Sequence, residues 1–193
     1  MIYDISQEVF SCHVFPGDPS PEAERMLSIK KGDICNLTKI SMCAHNGTHV
    51  DAPYHFLDEG RTLEQIPLEA FVGDCFVVHH EGEVKAVDAR TILAKACALQ
   101  AGERILIGGK ATVTAEAAKV FAEAGIKLIG NESQTVGPEN APREVHLILL
   151  GAEVVLLEGI VLKHVPEGRY LLSAAPLNLA GADGAPCRAV LIQ

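Results

Sequence analysis

The sequence predicts an α/β domain with a mixed sheet and flanking helices. Three observations carry that expectation. Short aliphatic runs such as Cys75-Phe76-Val77-Val78, Arg104-Ile105-Leu106-Ile107 and Val154-Val155-Leu156-Leu157 have the length and composition of buried strands. Between them lie stretches with apolar residues at helical spacing, so strands alternate with helices. Nearer the N-terminus, candidate strands sit close together and are joined by short turns, which suggests an antiparallel portion. The 193 residues, 48% of them apolar, are enough for one domain spanning 1–193 with a substantial core. Aromatics make up only 5% and Trp is absent, so that core is built from Val, Ile, Leu and Ala.

Taken in order, residues 2–6 read as a short opening strand. Phe15-Pro16-Gly17-Asp18-Pro19 is a turn-rich loop. Residues 25–30 and 34–44 read as strands, the second running into a His-rich stretch. Residues 57–69 are mixed, with one helical turn expected near Leu63–Ile66. After the strand at Cys75–Val78, His79 and His80 point to opposite faces and read as surface residues. Asp88 is placed to cap a helix over 89–99, in which Ile92, Leu93, Ala96 and Leu99 share a face. The strand at Arg104–Ile107 ends at Gly108-Gly109. Lys110 follows, but the remainder of a phosphate-loop pattern is missing. Thr114 can cap a second helix carrying Ala117, Val120, Phe121 and Ala124 on one side and ending at Gly125. Ile126–Ile129 is a strand. Pro142 suits the first turn of a short helix reaching Leu150 and stopped by Gly151. Val154–Leu157 is a buried strand that ends in Glu158. Strands at Tyr170–Ala174 and Arg188–Ile192 complete the chain.

Composition excludes several classes of partner. A formal charge of −9 argues against nucleic acid and anionic membranes. No apolar run approaches the ~20 residues of a membrane span. Six cysteines form no CxxC or zinc-ribbon spacing, and Met1-Ile2-Tyr3-Asp4 does not open a signal peptide. Free thiols in a reducing cytoplasm are the expectation.

The chemistry concentrates in Ala44-His45-Asn46-Gly47-Thr48-His49-Val50-Asp51-Ala52-Pro53-Tyr54-His55-Phe56. His45, His49, Asp51 and His55 all fall at odd positions and would share one face of an extended chain. A straight strand from 45 to 55 would span roughly 33 Å, too far for both ends to meet one ion. The segment must therefore bend, and Gly47 and Pro53 permit it. Imidazole and carboxylate are ligands for zinc or manganese, so this face is a candidate metal site. His146, inside an apolar helix, and Glu158, at the end of an apolar strand, form a second pair. The residues alone leave both readings open for it: two further ligands, or a hydrogen-bonded core histidine and a carboxylate at an exposed strand end. A buried carboxylate without a partner is costly.

His-x-Gly-Thr-His-x-Asp-x-Pro-x-His is intact from His45 to His55 and resembles the motif of the cyclase family of metal-dependent hydrolases, which includes bacterial kynurenine formamidase and isatin hydrolase. The likeness extends over nearly the whole chain. An opening strand and a Pro-Gly-Asp-Pro loop match Asp4–Pro19. His146, Leu149, Leu150 and Glu158 resemble the family's His-x-x-Leu-Leu followed by Glu. Its closing Pro-Leu-x-Leu-x-Gly-x-Asp-Gly-x-Pro-x-Arg matches Pro176–Arg188. The resemblance implies a swivelling β/β/α domain with a mixed sheet or barrel-like β core, assembled as a homodimer or larger. It implies His45, His49 and Asp51 as ligands of one divalent ion. Asp51, His146 and Glu158 would bind a second, with Asp51 bridging and His55 handling protons. One or two ions per chain fit this likeness, zinc preferred and manganese the alternative. Two stretches depart from the pattern. Gly130-Asn131-Glu132-Ser133-Gln134-Thr135 stands where relatives often have Gly-Ile-Asp-x-x-Ser, and Gly108-Gly109 where many have Arg-Thr.

The leading expectation is thus an enzyme that hydrolyses an amide, a formamide or cyclic amide, or a related ester of a small-molecule substrate. Metal-activated water would attack the carbonyl, with His55 as the acid–base group. Two competitors remain at this point. His45, His49 and Asp51 also compose the two-His-one-carboxylate triad of non-haem iron oxygenases. A non-catalytic metal-binding protein would need the ligands but not His55.

Overall fold

Alternate residues of four parallel strands feed two different cores, and this decides the architecture. The computed structural model describes residues 1–193. In chain order it contains strands β1 (Ile2–Asp4), β2 (Glu22–Leu27), β3 (Leu37–Ser41), β4 (His49–Asp51), β5 (Val72–His79) and β6 (Gly82–Val84). Helix α1 (Ala86–Ala98), β7 (Arg104–Gly108), β8 (Ala111–Val113) and α2 (Ala115–Glu123) follow. β9 (Leu128–Asn131), α3 (Arg143–Gly151), β10 (Val155–Glu158), β11 (Gly168–Ser173), β12 (Gly184–Pro186) and β13 (Val190–Ile192) complete it.

Nine strands form one mixed sheet in the order β1-β13-β11-β5-β7-β9-β10-β4-β12. Its centre, β5-β7-β9-β10, is parallel, because helices α1, α2 and α3 provide the crossovers. Both flanks are antiparallel. The sheet curls into a half-barrel. On its outer face Phe76, Val78, Ile105, Ile107, Ile129 and Leu156 pack under the helices with Ile92, Phe121 and Leu149. On its inner face Cys75, Val77, Leu106, Leu128, Val155 and Leu157 meet Ile5, Phe71, Leu172 and Leu191 across the curl. The period of two along each central strand assigns residues to these cores.

The expected mixed α/β architecture is present, and most element boundaries agree within a few residues. The strand expected over 34–44 is shorter, because residues 42–48 turn out of the sheet. Asn46 closes that turn: its side-chain oxygen accepts from the Cys43 amide at 2.9 Å and its own amide donates to the Cys43 carbonyl at 3.3 Å. Gly47 follows at φ +66°, in the left-handed region. Residues 25–30 are replaced by β2, which ends at Leu27 and pairs with β3 as a separate hairpin. Helix α1 starts at Ala86, three residues before the expected start. Asp88 sits in its first turn and accepts from the Lys85 amide at 2.9 Å, so the carboxylate caps from inside the helix. Thr114 caps α2 as expected, accepting from the Ala117 amide at 3.3 Å. Strands β6, β8 and β12 were not expected; three residues each are too few to show a period. The helices are short, and none is long and apolar enough to cross a membrane. All six cysteines are free.

Candidate metal centre

Strand register brings the chemistry together. β4 lies between β10 and β12, with Glu158 directly opposite His49 and Leu156 opposite Asp51. Val50 alternates inward to the hydrophobic core at 0% exposure. His49 and Asp51 therefore face the helix side of the sheet with Glu158. Helix α3, packed over β10, adds His146 from its buried face. His45 reaches back from the turn before β4. Pro53 opens a 3-10 turn that returns His55 to the same region.

The donor atoms converge closely. His45 Nδ1 lies 2.9 Å from Asp51 Oδ1, and His49 Nε2 lies 3.4 Å from the same oxygen. His146 Nε2 is 3.6 Å from Asp51 Oδ2 and 3.4 Å from Glu158 Oε1. His49 Nε2 is 3.6 Å from Glu158 Oε2. The ring of His55 stacks on that of His45 with centroids 3.9 Å apart. Five of the six sequence-derived site residues thus point at one locus, and His55 borders it.

A layer of backbone contacts fixes these groups. His49 Nδ1 donates to the Gly47 carbonyl at 2.9 Å, and His146 Nδ1 donates to the Pro142 carbonyl at 2.9 Å. In both rings this leaves Nε2 directed into the cluster, the arrangement in which a ligand's second nitrogen sets its tautomer. The Val136 amide donates to Glu158 Oε1 at 2.7 Å.

Charge balance is the central problem of this site. Asp51 and Glu158 are buried, and buried carboxylates demand cationic partners. Burial opposes charging His45, but hydrogen bonds to Asp183 and Asp51 outweigh it and push the ring up to about 10. Burial likewise opposes His146, which the nearby Asp51 and Glu158 carboxylates raise to about 10. Burial works against His49 as well, yet Glu158 and Asp51 raise it. Burial alone would raise Asp51, but the surrounding rings hold it well below the usual carboxylate range. His55 behaves oppositely: burial lowers it, so it stays neutral near pH 7.

The residues fit a divalent ion. Asp51 Oδ2 is buried and accepts no hydrogen bond. One donor atom from each of His49, Asp51 and Glu158 lies within 4.8 Å of the others, and the same holds for His45, Asp51 and His55. A cavity of ≈ 300 Å³ opens on the cluster, walled by Phe15, Phe56 and Pro142 with Asp18 and Cys43. The Phe15–Pro19 loop therefore contributes to the site as well as connecting strands. A larger cleft of ≈ 860 Å³ surrounds Arg104, whose guanidinium is spent on the Ala70 and Asp74 carbonyls. It holds no comparable donor cluster.

Asp183 was missed as a site residue. Its Oδ2 accepts from His45 Nε2 at 2.9 Å and from His55 Nδ1 at 3.3 Å. The Asp-Gly pair of the closing motif was the available signal, but no spacing rule ties position 183 to position 45.

Comparison with known proteins gives the family. The family model described as "Putative cyclase" matches residues 3–138. A kynurenine formamidase of Erythrobacter litoralis is 32% identical, covering 98% of this chain and 93% of its own. Another from Salinibacter ruber is 32% identical, covering 98% and 96%. A solved structure described as a potential metal-dependent hydrolase with cyclase activity superposes with a TM-score of 0.83 at 29% identity, covering 99% of this chain and 96% of that one. With a family match over most of its length and relatives aligned nearly end to end, the chain belongs to the cyclase family of metal-dependent hydrolases.

Proposed function

We propose that the chain is a single-domain, metal-dependent hydrolase of amide C–N bonds, acting on a formamide, a cyclic amide or a related ester. The observation that carries this reading is the β4–β10 register, which sets Glu158 against His49 with Asp51 beside them and His146 above. His45, His49 and Asp51 would hold one divalent ion, and Asp51, His146 and Glu158 a second. Zinc suits the imidazole-rich set and manganese is the alternative. A bound ion supplies Lewis-acid activation of water and of the substrate carbonyl. The chain's own residues do the rest. Phe15, Phe56 and Pro142 wall the substrate. His55, neutral and bordering the cavity, takes a proton from the attacking water at Nε2, since its Nδ1 is turned to Asp183. It returns that proton to the leaving nitrogen as the C–N bond breaks, giving a carboxylic acid and an amine.

The substrate assignment rests on the kynurenine formamidases that the chain resembles. The decisive test is a hydrolysis screen of formanilides, cyclic amides and lactones with Zn²⁺ and Mn²⁺, paired with elemental analysis. Turnover with one to two ions per chain is expected. Less than half an ion per chain, unrestored by added metal, would overturn the reading. An iron-dependent oxygen uptake would favour the oxygenase alternative instead.

The assembly is proposed to be a homodimer or larger, in the cytoplasm. The β2–β3 hairpin exposes Met26, Ile29, Ile34, Leu37 and Ile40, with Ile34 at 96%. A two-stranded sheet is marginal without a face to pack on, and a second copy would supply one. Light scattering should give at least a dimer; a monomer fully active at nanomolar concentration would refute this.

A further inference from the structure

We infer that Asp183 is a positioning residue that fixes the tautomers of both His45 and His55, coupling the metal centre to its proton carrier. The inference deepens the hydrolase reading above and rests on it. One oxygen, Asp183 Oδ2, accepts from His45 Nε2 at 2.9 Å and from His55 Nδ1 at 3.3 Å. A neutral imidazole has one N–H. With an ion bound, placing it on Nε2 of His45 leaves Nδ1 as the lone pair free for the ion; without one, Nδ1 carries a second proton toward Asp51 Oδ1 at 2.9 Å. Placing it on Nδ1 of His55 leaves Nε2 as the atom able to take a proton. One carboxylate thus selects the nitrogen each ring offers, a ligand atom in the first and a base atom in the second.

The backbone holds this carboxylate where both rings need it. The Ala52 amide donates to the Asp183 carbonyl at 2.8 Å, and the Leu63 amide donates to the Ala182 carbonyl at 2.9 Å. The next residue, Gly184, pairs with Asp51 in the β12–β4 ladder. Position 183 is therefore set by the same strand that carries the ligands. Gly184 also clears the space for His45: a Cβ there would stand 2.7 Å from His45 Cε1 and 2.5 Å from the Val50 carbonyl. The ring of His45 lies against bare backbone, with the neighbouring carboxylate holding its far nitrogen. The two rings then stack at 3.9 Å with planes 27° apart. A carboxylate shared between stacked rings orients both at once, and such support costs typically about 10- to 100-fold in metal affinity or activity when removed.

The test uses the zinc-loaded full chain and ¹⁵N-detected histidine side-chain NMR alongside kinetics. In the wild type, His45 should carry its proton on Nε2 and His55 on Nδ1. The opposite tautomer in either ring overturns the inference, and this arm needs no variant to fold and no substrate to be known. In Asp183→Asn, His55 should populate both tautomers, and kcat on the best amide of the screen should fall about 10- to 100-fold with KM changing little. Asp183→Glu, which keeps the charge, should recover part of that loss. Unchanged tautomers with unchanged kcat in Asp183→Asn would refute the assignment. Failure of the hydrolase reading looks different: the wild type would then hold zinc with the stated tautomers and hydrolyse no amide.

Discussion

Glu158→Gln separates a ligand carboxylate from a structural one. The variant keeps the shape of the side chain and an oxygen able to accept from the Val136 amide, which donates to Glu158 Oε1 at 2.7 Å. It removes the charge that faces His49 at 3.6 Å and His146 at 3.4 Å. In the metal-free protein the Glu158 charge helps raise both rings, so the variant's own melting temperature changes for reasons unrelated to zinc. The shift on adding zinc carries the test. At free zinc about 1,000-fold above Kd, the wild type gains about 4.1 kcal/mol. For a chain of this size 1 kcal/mol moves Tm by about 2–4 °C, giving a rise of about 8–16 °C. Removing even a residue that only supports a ligand costs about 10- to 100-fold in affinity, so a ligand should cost at least 100-fold. At the same zinc concentration the gain then falls to about 1.4 kcal/mol or less, a rise of no more than about 3–6 °C. Differential scanning calorimetry over a zinc series, with elemental analysis of the same samples, reads this directly. Glu132→Gln is the control. Glu132 also accepts from backbone, from the Gly109 amide at 2.6 Å and the Leu162 amide at 2.7 Å, but lies outside the cluster. It should lose stability and keep the full zinc shift. An undiminished zinc shift in Glu158→Gln would refute the assignment and confine the site to residues 45–55.

His55→Ala should retain metal and lose about 10²–10⁴ in turnover, the usual contribution of an acid–base group. Loss of metal in that variant, measured on the same preparation, would make His55 a ligand instead. Phe121→Ala, at 0% exposure on α2 between the sheet and its neighbouring helices, should cost about 3–5 kcal/mol in denaturant unfolding without changing metal content per folded chain. Burial pushes the Cys75 thiol up to about 12, so at pH 8 it should resist an aromatic disulfide reagent until the protein unfolds, whereas exposed Cys35 and Cys97 react in the native state. Rapid native-state labelling of Cys75, seen by mass spectrometry, would contradict the packing of β5.

How much was legible follows from the range over which each signal acts. The central strands were readable because both of their faces are buried, so Val77, Ile105 and Leu156 sit in unbroken apolar runs. Caps were readable because they act within one turn, as Thr114 does on Ala117. Asp88 also caps, but from the third helical position, and a cap acting from inside moves the apparent start of the helix. β12 was unreadable: three residues, Gly184-Ala185-Pro186, owe their extended state to β4 beside them. The same limit explains the site. His45, His49, Asp51 and His55 share an odd-number spacing that any reader of the sequence can see. Asp183 lies 138 positions from His45, and only the β12–β4 ladder makes them neighbours.

The bend at residues 45–48 shows why an extended-strand argument groups the candidate ligands but gives the wrong geometry for them. Only His49–Asp51 is strand. The odd-number rule holds there, placing two donors on one side and Val50 on the other. It fails on both sides of the strand, where Gly47 at φ +66° reverses the chain toward His45 and a 3-10 turn from Pro53 returns it toward His55. These reversals bring the end donors inward, where a straight strand would carry them apart. The motif therefore encodes two separable requirements. The strand core sets register against Glu158, and the turn residues set convergence on Asp51. A substitution at Gly47 meets both strain and contact, since a Cβ there would stand 3.2 Å from Cys12 Cβ. It acts on convergence while leaving the β4–β10 ladder intact. Register without convergence would keep Asp51, His146 and Glu158 together and displace His45, along with the ring that His55 stacks on and the contact that Asp183 makes, and would loosen the Gly47 carbonyl that holds His49 Nδ1. In this fold the candidate ligand cluster and the ring proposed to carry protons are thus joined through one turn and one carboxylate, on opposite sides of His45.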